Sequence, residues 1–107
     1  LVLRSKYGPV SGLDAETCAR WLATQQTVFG GLRATPGQRI PDLLSTATGL
    51  FALRTAGFAL PGEISAHREF LHSAWHETGG FSANLLEERP DCEYTFYGLL
   101  AAGALAK

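Results

Sequence analysis

Gly79-Gly80-Phe81, Ala83, Pro90-Asp91, Thr95, Gly98-Leu99 and Ala101 restate an earlier string in the same chain. Gly30-Gly31-Leu32, Ala34, Pro41-Asp42, Thr46, Gly49-Leu50 and Ala52 stand 49 residues before them, with no gap. Leu22 falls on Leu71 in the same register, and Trp21 meets Phe70. Chance similarity rarely keeps a Gly-Gly pair and a Pro-Asp pair in one ungapped alignment. A fixed period of this size marks a repeat architecture. The shift also lays Leu1 and Gly8 on Leu50 and Gly57. Residues 1–8 therefore read as the tail of a preceding repeat helix, 9–57 as one repeat and 58–107 as a second, within a single partial domain. Units that stack only on their neighbours usually need three or more copies. The expectation is a piece of a longer or assembled array, its open edge covered by upstream repeats or another protein chain.

Each repeat reads as two helices. The first begins near Asp14, a suitable N-cap, and runs through Cys18, Trp21, Leu22 and Gln25, an apolar face at helical spacing. Gly30-Gly31 breaks it, and Pro36-Gly37 marks a turn. Pro41 opens a second helix through Leu43, Leu44, Ala47, Leu50 and Phe51, apolar around much of its circumference and so an inner one. Gly57 suits its C-cap. The second unit repeats the plan: Pro61 at a helix start, then Ile64, His67, Phe70, Leu71 and Ala74, a break at Gly79-Gly80, and a last helix opened by Pro90. No segment alternates with period two, so the expected fold class is all-α, built of helical hairpins.

Composition narrows the functions open to such a chain. Nine basic residues against ten acidic ones leave a charge of -1, with no excess to neutralise a phosphate backbone; a nucleic-acid partner is not expected. Hydrophobic residues at 46% and charged ones at 18% describe a globular chain, not a disordered one. No apolar run approaches the ~18 residues of a membrane span. Two cysteines, Cys18 and Cys92, lie far apart. They do not make a secreted disulfide scaffold, and a cytoplasmic setting is expected.

The string Gly79-Gly80-Phe81, Asp91, then Tyr94-Thr95-Phe96-Tyr97-Gly98-Leu99-Leu100-Ala101 resembles the prenyltransferase/squalene-cyclase repeat. So does its first-unit counterpart, Gln25-Gln26, Gly30-Gly31-Leu32, Pro41-Asp42 and Gly49-Leu50-Phe51-Ala52-Leu53. The spacing is most similar to the β subunits of protein prenyltransferases, especially the Rab-type geranylgeranyl enzyme. The resemblance implies an α/α toroid, of which this chain would supply about two repeats, around an apolar cavity that holds an isoprenoid. It also implies a transferase in which zinc binds the acceptor cysteine as a thiolate, for attack on a prenyl diphosphate. The family's enzyme ligands are an Asp and a Cys two residues on, at the start of one inner helix, and a His from the next. Carried over, the Asp position is met by Asp42, the Cys position by Leu44 and the His position by Tyr94. Leu44 cannot ligate zinc and Tyr94 is a poor ligand at neutral pH, so the expectation is an incomplete site and no catalytic residue. Cys92 follows Asp91 by one residue, and a helical step of about 100° turns it elsewhere. Zinc enters only if the site is completed elsewhere.

Other constellations weigh lightly. Arg33, Arg39, Arg54, His67 and Arg68 could face a diphosphate, but are scattered and read as surface charges. The acid motif D-x-D-D of the cyclases is missing. His72 and His76, four apart on the expected helix, lack a third ligand. Asp42 and Asp91 each follow a proline at a helix start, where a carboxylate caps free N–H groups. Tyr94, Phe96, Tyr97, Trp21, Trp75, Phe70 and Phe81 read first as core, and the resemblance assigns Tyr94 and Tyr97 to the isoprenoid pocket. Cys18 reads as a small buried hydrophobe. The leading expectation is a C-terminal part of a prenyltransferase-β-like protein without its own transfer site, acting as an apolar-pocket or protein-interaction module. The alternative is a subunit of an active prenyltransferase whose catalytic residues lie upstream or in a partner.

Overall fold

The computed structural model describes residues 12–84, 86–87 and 89–106; the expected helix tail at 1–8 lies outside them. Helix α1 spans Gly12–Ala23, α2 Leu43–Ala56, α3 Ile64–Ala74 and α4 Cys92–Ala106. The chain is mostly helical, as expected. The architecture is compatible with the all-α expectation, with one short antiparallel ribbon between α3 and α4: β1, Trp75–His76, pairs with β2, Gly80–Phe81, Trp75 lying opposite Phe81. Two residues are too short to display alternation, so the sequence pattern carried no strand signal. Gln26 and Leu32 form a single bridge at the matching place in the first unit.

Local chemistry sets the boundaries. Asp42 caps α2: one carboxylate oxygen accepts from the Ser45 N–H at 2.7 Å and the other from the Ser45 hydroxyl at 2.8 Å. Pro41 therefore precedes the cap instead of sitting in the first turn. Gly57, at φ 84°, closes the helix in the left-handed conformation with its N–H on the Arg54 and Leu53 carbonyls. Asp91 accepts from the Tyr94 N–H at 2.8 Å, so α4 opens the same way. Asp14 lies inside α1 instead of capping it, and Pro61 sits ahead of α3, whose N-cap Glu63 makes no side-chain cap bond. Neither glycine pair is the helix breaker that the sequence suggested: α1 ends at Ala23 and α3 at Ala74, several residues earlier.

The 49-residue relation recurs in the hydrogen bonds. The Thr46 hydroxyl accepts from Leu32 N–H at 2.9 Å, and the Thr95 hydroxyl from Phe81 N–H at 3.1 Å. Asp42 N–H donates to Leu32 O and Asp91 N–H to Phe81 O, each at 3.2 Å. Arg33 N–H donates to Gln25 O and Ser82 N–H to Ala74 O, each at 2.9 Å. A Cβ on Gly49 would strike the Leu32 side chain, and one on Gly98 would strike Phe81. In each unit, then, the residue after the glycine pair lies on a glycine of the second helix and is tied to a threonine one turn before it.

Helices α2 and α4 lie along one another in the largest helix contact among the described elements, with α3 against α4 and α1 against α2. The core gathers Leu32, Leu43, Ala47, Leu50, Phe70, Leu71, Ala74, Phe81, Ala101, Ala104 and Leu105. It is less aromatic than expected. Phe70 and Phe81 are buried and Tyr94 and Tyr97 pack at its margin, whereas Trp21, Trp75 and Phe96 are about half exposed or more. Cys18 is also exposed, contrary to the buried reading, because α1 turns Ala15 and Ala19 inward.

The threonine pair gives a graded test. Thr46 is fully buried, so Thr46→Val leaves the Leu32 N–H without its acceptor and should cost about 1–3 kcal/mol in urea unfolding. Thr95 is half-buried, and Thr95→Val should cost distinctly less because water can reach the Phe81 N–H.

Candidate functional site

The positions at which the family resemblance would place zinc ligands lie at the N-terminal ends of α2 and α4. Asp42 spends both carboxylate oxygens on Ser45. Leu44 offers an alkyl side chain, 39% exposed. Tyr94 packs at the core margin beside Tyr97, ring centroids 6.2 Å apart. Burial, followed by the nearby negative charges of Glu93, Asp91 and Asp42, pushes the Tyr94 phenol above its ordinary value of 10.0. A phenol held protonated in this way is a worse ligand for a cation than an ordinary tyrosine. Among the described residues no group of three or more His, Cys, Asp and Glu side chains could hold a metal ion. The donor set does not fit zinc, and Asp42 serves as a helix cap.

The two other histidine readings change with the structure. Because α3 ends at Ala74, His72 lies on the helix and His76 on β1, so the helical spacing expected of the pair is not realised. His67, read as a surface charge, is fully buried. Its Nδ1 accepts from the Gly31 N–H at 2.9 Å, and its Nε2 lies 2.7 Å from the Pro61 carbonyl oxygen. That pairing fixes the neutral tautomer with hydrogen on Nε2. Three of the arginines read as surface charges are likewise occupied. Arg54 Nε donates to Ala104 O at 2.8 Å and Arg68 Nη2 to Leu105 O at 3.3 Å, placing two cations at the negative end of α4. Arg33 Nε donates to Gln25 Oε1 at 3.0 Å.

The chemistry that remains accessible is apolar. Phe96 and Leu99 stand 59% and 64% exposed on α4, and Leu99 borders a hollow shared with Phe51, Arg54 and Thr55 of α2. Their counterparts one repeat earlier, Ala47 and Leu50, are fully buried because the second unit covers them. Beside this face a cavity of about 290 Å³ opens between Leu71, His72, Trp75, Phe81 and Leu105, with Arg68 at its rim. Trp75 packs edge to face on Phe81 at 5.3 Å. Tyr94 and Tyr97, the expected pocket residues, do not line this cavity. Sequence reasoning expected an open apolar edge but named neither these residues nor the cavity, although the repeat carried the signal: positions buried in one unit need a cover in the next. Neither a scan of protein-family models nor a search of curated proteins returns a match.

Raising the pH tests the environment of Tyr94. Its folded-state pKa lies above the unfolded value, so its contribution to stability is full below pH 10 and is lost as the pH climbs through the raised value. In an absorbance titration of the folded protein, Tyr94→Phe should remove a tyrosinate step above the ordinary midpoint. Loss of a step at or below that midpoint would contradict the assignment.

Proposed function

We propose that this chain is an interaction module: a two-repeat portion of an α/α helical-hairpin array, similar in plan to the prenyltransferase β subunits, that works through its apolar edge and not through zinc-dependent prenyl transfer. The observation that carries this reading is the contrast between the two units. Ala47 and Leu50 are sealed by a following helix, while Phe96 and Leu99 present a larger apolar surface to solvent. Contiguous apolar surface of this kind, next to a cavity walled by Leu71, Trp75, Phe81 and Leu105, marks a binding face for a protein chain or an apolar ligand such as an isoprenoid.

Transfer chemistry in this chain requires a thiolate or imidazole where Leu44 and Tyr94 stand, or another complete ligand set; the alternative, a subunit of an active prenyltransferase, puts its catalytic residues upstream or in a partner. No helix among the described residues is long and apolar enough to cross a membrane.

Native mass spectrometry with added zinc and geranylgeranyl diphosphate separates the two readings. The module reading expects no stoichiometric zinc and no transfer to an acceptor thiol. It also expects an apolar fluorescent probe to brighten on the wild-type protein and to lose most of that signal in Leu99→Glu. One retained zinc together with prenylation of an added cysteine peptide would overturn it.

A further inference from the structure

His67 is the one ionisable side chain among the described residues that is sealed from water. It sits in the junction between the two units, and the junction accepts only one of its protonation states. Nδ1 is the acceptor for the Gly31 N–H at 2.9 Å, and Nε2 lies 2.7 Å from Pro61 O. A carbonyl oxygen has no hydrogen to give, so the ring's single hydrogen is on Nε2 and Nδ1 turns a lone pair toward Gly31. A second proton could go only to Nδ1, where it would point at the Gly31 N–H. The Gly31 amide would then lose its acceptor, two donors would face one another, and a positive charge would stand where there is no water. The stronger bond of an imidazolium to Pro61 O offsets part of this, but it restores neither the Gly31 acceptor nor the lost hydration.

Nothing around the ring is placed to hold that charge. Residues 26–31 carry no ionisable side chain, and neither does the turn at 58–62. On α3 the ionisable neighbours are Arg68, Glu69 and His72, with Glu63 at the N-cap, and all four are exposed. Glu63 stands four residues before His67, yet both ring nitrogens are already taken by Gly31 and Pro61. From α2 come Asp42, whose carboxylate is on Ser45, and Arg54, which donates to Ala104 O. From α4 come Glu93, which is exposed, and Tyr94 and Tyr97 at the core margin.

We infer that His67 is a proton-operated fastener: acidification through the histidine range protonates Nδ1 and releases the second unit from the Gly30-Gly31 loop. The sign follows from the geometry. The folded chain holds the neutral ring, and the released chain takes up the proton. The fastening is therefore complete above the ordinary histidine range, near pH ~6.5, and is lost as the pH falls below it. One proton taken up on release raises the unfolding equilibrium constant about tenfold per pH unit. Carboxylates take up protons mainly below about pH 5, which leaves a window from about 6.5 to 5 for the histidine. Phe70 and Leu71 ride on the same helix, so release also uncovers the core they close. The inference goes beyond the module reading and holds whichever partner or ligand the apolar edge takes.

Urea unfolding of the whole chain across that window tests it. The wild-type unfolding constant should rise about tenfold per pH unit, and ring-nitrogen NMR of the folded protein should show hydrogen on Nε2 alone throughout. His72→Gln and His76→Gln should leave the rise in place. His67→Asn should flatten it, because an amide oxygen can still accept from the Gly31 N–H but takes up no proton. Should that variant fail to fold, the wild-type slope and ring spectrum decide alone. A level wild-type constant would overturn the inference, and so would a rise abolished at His72 or His76 instead. It would equally fall if the ring took its second proton in the folded protein with the Gly31 amide still protected from exchange.

Discussion

The seat of α3 on the Gly30-Gly31 loop is the contact on which the rest of the structure depends. It is a close approach, because a side chain at Gly30 would displace the backbone of α3. It is also a polar contact in a sealed place. The Gly31 N–H is buried and finds its acceptor on the fully buried His67 ring, whose other nitrogen is held by Pro61 O. A buried donor left without an acceptor costs about 1–3 kcal/mol, a large fraction of what a domain of this size has to spare. With α3 fixed, Phe70 and Leu71 close the core, the ribbon after α3 positions Phe81, and Phe81 in turn lies on Gly98 of α4. The unit is therefore not the folding entity; the junction is.

Much of this was legible in the residues, for a physical reason. Gly49 and Gly98 are glycines because Leu32 and Phe81 lie where their side chains would be. Thr46 and Thr95 are threonines because a loop N–H ends on each hydroxyl. Such constraints repeat whenever the unit repeats, so self-comparison finds them. Asp42 and Asp91 were readable as caps from local chemistry alone. What escaped the sequence was everything set by the junction, which does not repeat within the chain. His67 has no equivalent histidine: Cys18 stands one repeat earlier. Nothing local distinguishes an imidazole buried against a neighbouring loop from one in solvent. The burial of α1 was misread for the same reason. Its apolar spacing pointed to Cys18 and Trp21, but those positions face an edge, and the short alanines Ala15 and Ala19 face the fold.

The candidate site was legible in part: the zinc positions in what they lack, and an open apolar edge without the residues that form it. Leu44 and Tyr94 argue against a zinc centre from their chemistry alone, and the engagement of Asp42 by Ser45 adds a structural reason. The apolar edge needed the three-dimensional comparison of the two units, because Phe96 and Leu99 look in sequence like any inner-helix residues. Arg54 and Arg68 show the same limit: side chains read as surface charges hold the carbonyl end of α4.

Amide hydrogen exchange at Gly31 tests the junction most directly. Gly31 lies in a loop, with no helical or strand partner for its N–H other than His67 Nδ1. Its exchange should be as slow as that of amides in the middle of α2, opening only when the whole domain unfolds, and His67→Ala should speed it by orders of magnitude. Exchange of Gly31 in the wild-type protein at the rate of an exposed turn such as Pro36–Gln38 would contradict the seat of α3.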